Sequence, residues 1–156
     1  MLSHCSKHVA LLLALLFSHQ SFAEGDRERG KVLAESCEGC HAVATYNNVY
    51  PTYHVPRIVG QSEVYLSNAL SAYGTGERSH ATMIAQAASL SDQDIDDIAA
   101  YIAGINPVSD DVSVNGTAPG KASTCAACHG PAGRSPIPEN PTLAGQHQDY
   151  LLQSLQ

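Results

Sequence analysis

Two short motifs in this sequence place thiols and an imidazole at a spacing suited to holding a porphyrin. The first is CEGCH at residues 37–41, and the second is CAACH at residues 125–129. Two intervening residues let a helical turn present both sulfurs to one edge of the ring, where they add to its vinyl groups. The next residue projects beneath the ring, so its imidazole can bind iron axially. The motifs predict two covalently bound haem c groups attached through Cys37, Cys40, Cys125 and Cys128, with His41 and His129 as iron ligands.

Other uses of paired cysteines have to be weighed against haem. A thioredoxin-like redox pair uses C-x-x-C, but it needs a βαβ setting, and no alternating strand pattern is visible. A zinc site built from both pairs is chemically feasible, although each pair lies in its own repeat and carries an additional histidine. Local disulfides are the third option. The histidine that ends both motifs favours haem over these alternatives.

The motifs belong to a longer internal repeat. Each is followed by the pattern P-x-x-x-G-Q-x-x-x-Y-L, which begins at Pro56 in the first copy and at Pro141 in the second. Two motifs that recur in the same order indicate a tandem duplication. Each proline carbonyl is a candidate acceptor for the second ring nitrogen of its motif histidine, although a plain turn proline is an equal alternative. The segment from Gly104 to Pro119 has the composition of a linker.

The pattern of apolar residues predicts helices rather than strands. Residues 26–36 and 62–72 are typical of helices. The clearest helix follows Ser91, with Asp94 completing a variant capping box, and its apolar face continues to Ile102. Gly104 and Pro107 end it. We therefore expect an all-α fold.

Met83 is the candidate sixth ligand of the first iron. The sequence has two methionines, and Met1 belongs to the N-terminal leader. A thioether favours Fe(II) and raises the reduction potential, as is common in electron-transfer cytochromes. We expect Met83 on a loop facing His41. A core methionine, or His80 as the ligand instead, are the alternatives.

The N-terminus and the charge limit where the protein works and what it binds. Lys7, an apolar run over residues 9–17 and the small residues Ser21 and Ala23 predict a signal peptide cleaved after Ala23. Such a short run cannot cross roughly 30 Å of hydrocarbon. The formal net charge is −7, and an acidic protein repels the phosphate backbone, so we expect no nucleic-acid partner. We expect export to the periplasm.

These residues resemble a known family. The C-x-x-C-H motif, the later methionine and the segment 90–103 resemble a class I cytochrome c. The duplicated proline pattern resembles the di-haem cytochrome c-four type of bacteria. The resemblance implies two tandem class I cytochrome c domains related by a pseudo-twofold axis. It also implies that Gly30 and Tyr101 mark the crossing of the first and last helices of a domain.

The resemblance and the repeat together suggest a domain plan. We expect a signal peptide at 1–23, a cytochrome c domain with the first haem at 24–106, a linker at 107–118 and the N-terminal part of a second domain at 119–156. By the repeat offset, the counterpart of Met83 falls beyond Gln156. We therefore expect a truncated second domain, through an incomplete sequence or a shortened protein, and its sixth ligand is unassigned.

The resemblance implies a periplasmic electron carrier of a respiratory chain, which exchanges electrons with redox partner proteins. It can associate with a membrane through such a partner. The sequence has no recognisable nucleophile–base pair or nucleotide-binding loop, so we expect neither an enzyme nor a small-molecule substrate. The alternative is a haem subunit of a redox enzyme complex that passes electrons from a flavin or molybdenum partner.

Overall fold

The computed structural model describes residues 25–105 and 116–156. The expected signal peptide and most of the expected linker lie outside these residues. Within them, one antiparallel bridge between Asn47 and His54 is the only extended pairing, so the all-α prediction is confirmed. None of the described helices is both long and apolar enough to span a bilayer. The seven described helices are α1 Arg27–Leu33, α2 Glu35–His41, α3 Glu63–Thr75, α4 Ala81–Ala87, α5 Asp92–Ala103, α6 Ala122–His129 and α7 Gln148–Ser154.

Helix α5 is the centre of the N-terminal part of the structure, where it packs against α1 and α3. Ser91 and Asp94 form the predicted capping box, and Gly104 caps the C-terminal end. The apolar face enters a buried cluster, whose members come from α3, α5 and the turn after α1. They are Ala34, Leu66, Ile98, Ala99 and Ile102.

The crossing of α1 and α5 depends on a glycine. Gly30 is buried, and a Cβ added there would lie 1.9 Å from the carbonyl oxygen of Asp97 and 3.0 Å from the Cβ of Tyr101. Only a residue without a side chain permits this approach of the two helices. The predicted role of Gly30 and Tyr101 at the helix crossing is confirmed.

A buried carboxylate joins the same two helices by polar contacts. Asp97 is fully buried and accepts hydrogen bonds from the Asp26 backbone N–H at 2.7 Å and from Gln93 at 2.7 Å. It also pairs with Arg29, whose guanidinium contacts Asp94 as well. Burial works to raise the pKa of Asp97, but the bonds from Arg29, Gln93 and Asp26 together lower it. The carboxylate therefore remains charged, because a buried charge is tolerated when it is paired and hydrogen-bonded.

Two local predictions need correction. The helix expected over residues 26–36 is two helices, because α1 ends at Leu33 and α2 starts at Glu35 after a turn at Ala34. Met83 lies on the short helix α4 and not on a loop. The His80 side chain caps α4 by accepting a hydrogen bond from the Met83 N–H at 3.3 Å. An imidazole is not among the usual N-cap groups, so the sequence carried little sign of this helix.

Candidate haem-attachment sites

The first C-x-x-C-H motif forms helix α2. Cys37 and Cys40 are free thiols, and His41 is the last residue of the helix. The Nδ1 atom of His41 lies 2.7 Å from the carbonyl oxygen of Pro56, as the sequence suggested. A carbonyl can only accept, so Nδ1 carries the ring proton and the Nε2 lone pair points away for a metal.

The surroundings of this motif favour neutral side chains. Burial lowers the pKa of His41 more than the Pro56 hydrogen bond raises it, and His80 lowers it further. The neutral imidazole is the form that binds a metal. Burial likewise raises the pKa of the Cys37 thiol.

The motif opens into a cavity of about 720 Å³. This volume lies within the roughly 300–1,000 Å³ of cofactor and ligand sites. Met83 and His41 both line it, together with apolar side chains of α3 and α5 such as Leu66 and Ile98. Two thiols, an imidazole with an available lone pair, a thioether and apolar walls are the set of groups that a covalently bound haem requires. The residues present therefore fit this cofactor.

The second motif repeats the local geometry of the first. It forms the last turns of α6, where Cys125 and Cys128 are exposed free thiols. The Nδ1 atom of His129 lies 2.8 Å from the carbonyl oxygen of Pro141. The same imidazole orientation therefore recurs, with its second nitrogen directed away from the carbonyl.

The four cysteines do not gather at one point. Across residues 25–105 and 116–156, no group of three or more His, Cys, Asp or Glu side chains is placed to hold a metal ion. The zinc alternative therefore gains no support in this part of the protein. None of these cysteines is in a disulfide.

The two repeats contact each other through their shared proline patterns. Gln61 of the first copy hydrogen-bonds the backbone of Thr142, and Gln146 of the second hydrogen-bonds the backbone of Arg57. The sequence did not predict that these glutamines connect the repeats, although both belong to the duplicated pattern. That recurrence is the signal from which they could have been found.

Ring and ion-pair contacts extend this interface. The His54 ring stacks on that of His147 with centroids 4.5 Å apart, and its Nδ1 lies 2.7 Å from a carboxylate oxygen of Asp149. The hydrogen bond with His54 lowers the pKa of Asp149, while burial lowers the pKa of His147. Tyr53 and Tyr150 bring their ring centroids to 6.3 Å.

Comparison with known proteins agrees with this geometry. The sequence model described as cytochrome c matches residues 27–106, which include the first motif, the proline pattern and Met83. The chain belongs to the cytochrome c family. This cytochrome is 33% identical to cytochrome c4 of Pseudomonas aeruginosa, in an alignment that covers 94% of this chain and 78% of that protein. The predicted resemblance to the di-haem cytochrome c4 type is confirmed.

Solved structures extend the similarity to the fold. The crystal structure of reduced recombinant cytochrome c4 from Pseudomonas stutzeri matches with a TM-score of 0.61 and 28% identity, over 84% of this chain and 78% of that one. Thiosulfate dehydrogenase from Marichromatium purpuratum matches with a TM-score of 0.62 and 29% identity, over 82% of this chain. This cytochrome spans only 32% of that longer chain.

Family membership confirms the main functional predictions. The cytochrome c domain binds haem c covalently, and its iron transfers electrons. The protein is an electron carrier and not an enzyme, and it exchanges electrons with redox partner proteins.

Proposed function

We propose that this cytochrome is a periplasmic carrier of a respiratory chain and that it holds two haem groups, one in each repeat. One observation supports this proposal above the others: both motif histidines direct Nδ1 at the carbonyl of the proline that starts the repeated pattern, at 2.7 Å and 2.8 Å. A ring nitrogen fixed in this way orients the imidazole for a metal and raises its basicity. A duplicated orientation of this kind serves two irons.

The proposal assigns a role to each predicted site residue. Cys37 and Cys40 would attach the first haem, and His41 and Met83 would bind its iron. Cys125 and Cys128 would attach the second haem, and His129 would bind its iron. Residues 24–106 form the first domain, 119–156 belong to the second, and 107–118 connect them. When bound, haem supplies an iron that cycles between Fe(III) and Fe(II). The protein side chains would hold the iron ligands in position, and the apolar walls of the cavity would exclude water from the first haem.

Counting covalent haem tests the proposal. After acid–acetone treatment, the mass of the protein should exceed the polypeptide mass by two haem groups. Replacing Cys125 and Cys128 with Ala should remove one haem and leave the other. The matched double variant Ser123→Ala and Ser135→Ala, whose side chains flank the second motif, should retain both. A colourless polypeptide after extraction contradicts the proposal.

A second candidate is a haem subunit that takes electrons from a catalytic partner. The match to part of the Marichromatium thiosulfate dehydrogenase favours it. Mixing the oxidised cytochrome with a purified thiosulfate dehydrogenase and thiosulfate distinguishes the two. Rapid reduction of the haem, saturable in cytochrome, supports the subunit role. Reduction no faster than that of an unrelated c-type cytochrome supports the general carrier.

A further inference from the structure

The glutamine contacts between the repeats reach the peptide groups that hold the two motif histidines. The carbonyl of Pro56, which accepts from His41, and the N–H of Arg57 belong to one peptide group. That N–H donates to Oε1 of Gln146 at 2.9 Å. A continuous path of hydrogen bonds therefore runs from His41, through one peptide, to a side chain of the other repeat.

The same path exists in the opposite direction. The carbonyl of Pro141 accepts from His129, and the N–H of the same peptide group, that of Thr142, donates to Oε1 of Gln61 at 2.9 Å. Gln61 and Gln146 occupy equivalent positions of the duplicated pattern, as do Arg57 and Thr142. The arrangement is reciprocal.

Each carboxamide is also fixed by a second bond. Nε2 of Gln146 donates to the Arg57 carbonyl at 2.9 Å, and Nε2 of Gln61 donates to the Thr142 carbonyl at 2.8 Å. Gln61 is only 8% exposed. Two bonds on a planar group leave it little rotational freedom, so each glutamine also holds its peptide in position.

A hydrogen bond to the N–H of a peptide polarises that peptide and makes its carbonyl a stronger acceptor, by roughly 10–30% per bond. A stronger acceptor draws the Nδ1 proton of histidine, and the imidazole becomes a better electron donor to iron. A better axial donor favours Fe(III) over Fe(II) and lowers the reduction potential.

We infer that Gln146 and Gln61 are positioning residues that act across the interface, each tuning the haem of the other repeat through the peptide that its histidine contacts. This inference rests on the proposal that both motifs carry haem. It makes the repeats electronically dependent on each other, because opening the interface would release both peptides and raise both potentials.

The test is a redox titration of the complete haem-loaded protein. Gln146→Leu keeps the bulk of the side chain and removes the acceptor. It should raise the potential of the first haem by about 30 mV, which is a threefold change in its Fe(III)/Fe(II) ratio, and leave the second unchanged. Gln61→Leu should raise the potential of the second haem and leave that of the first unchanged. A variant without Cys125 and Cys128 identifies which component of the titration belongs to the first haem.

Two further variants separate tuning from simple packing. Gln146→Glu keeps an acceptor for the Arg57 N–H, so the potential of the first haem should equal or fall below that of the unmodified protein. Gln148→Leu alters an exposed glutamine at the start of α7 that does not line the cavity, and it should change neither potential. Small-angle X-ray scattering of each variant should give the unmodified radius of gyration.

Several outcomes would overturn the inference. They are an unchanged first potential in Gln146→Leu, an equal shift of both haems, or the same shift in Gln148→Leu. A rise in Gln146→Glu as large as in Gln146→Leu would do so as well. Each of these leaves the proposed function intact, because both haems are then present and titrate. A protein without covalent haem would contradict the proposed function itself.

Discussion

Gly30 of α1 lies so close to the carbonyl oxygen of Asp97 in α5 that a Cβ at position 30 would come within 1.9 Å of it. The two helices meet backbone to backbone here, beside the fully buried Asp97 side chain. Every side chain at position 30 would therefore push α1 away from α5.

We expect Gly30→Ala to lower the free energy of unfolding by about 2–4 kcal/mol, because overpacking forces the helices apart and weakens the Asp97 hydrogen bonds. Denaturation with guanidinium chloride, followed by circular dichroism, measures this free energy of unfolding. Gly39→Ala is the matched control, because a Cβ there meets nothing within 4 Å. The second motif already has Ala127 at the equivalent position, and this control should gain up to about 1 kcal/mol. Equal effects of the two substitutions would contradict the packing argument.

The Asp94 carboxylate should make stability depend on pH in the acid range. Its hydrogen bonds with Ser91, followed by that with Arg29, lower its pKa from 3.8 to about 2. A depressed pKa means that the folded protein binds its proton less readily than the unfolded chain. This contribution to stability is therefore present above pH 4 and is lost as the pH falls towards about 2.

Asp94→Asn should lower the melting temperature at pH 6 by a few degrees. Between pH 4 and pH 2, the melting temperature of this variant should decrease less than that of the unmodified protein. Thermal unfolding of the oxidised protein, followed by far-ultraviolet circular dichroism, is the measurement. Glu77→Gln removes an exposed carboxylate from the loop before α4 and serves as the control. If Asp94→Asn and Glu77→Gln have the same pH profile, the role of this carboxylate is refuted.

Met83→Ala should abolish the weak charge-transfer band that a methionine-ligated ferric haem shows at the red end of the visible spectrum. It should also lower the potential of the first haem by on the order of 100 mV, within the roughly 0.8 V range that axial ligands span, because Fe(II) loses its soft sulfur ligand. Ile84→Ala, one residue further along α4, should retain the band. Persistence of the band in Met83→Ala would make His80 the next ligand to test.

Export should remove residues 1–23, so N-terminal sequencing of the haem-loaded protein should begin at Glu24. The reason is the small residues Ser21 and Ala23 that follow the apolar run. Ala23→Leu should block this cleavage and leave the precursor in the membrane fraction, whereas Phe22→Leu should be cleaved normally. Cleavage well inside helix α1 would show that the predicted site is wrong.

Features that depend on neighbouring residues could be predicted from the sequence. The C-x-x-C-H motifs could be recognised because attachment chemistry requires thiols and imidazole within one helical turn. The capping box at Ser91 and Asp94 and the apolar face of α5 are equally local. The approach of the proline carbonyls to the histidines was one of two open alternatives, because its geometry depends on how the intervening loop closes.

Other features depend on which distant segments meet, and only the tertiary structure decided them. Met83 lies on a helix whose N-terminus is capped by the His80 ring, which accepts a hydrogen bond from the Met83 N–H. The stack of His54 on His147 requires two repeats to be in contact. The clearest case is Gln61, whose carboxamide is satisfied by the Thr142 backbone of the other repeat. A glutamine carries the same donor and acceptor wherever it lies, so its own position in the sequence does not specify its partner. Packing of the two repeats brings the Thr142 backbone within reach of Gln61. The buried carboxamide then forms hydrogen bonds with it, because buried polar groups are almost always hydrogen-bonded.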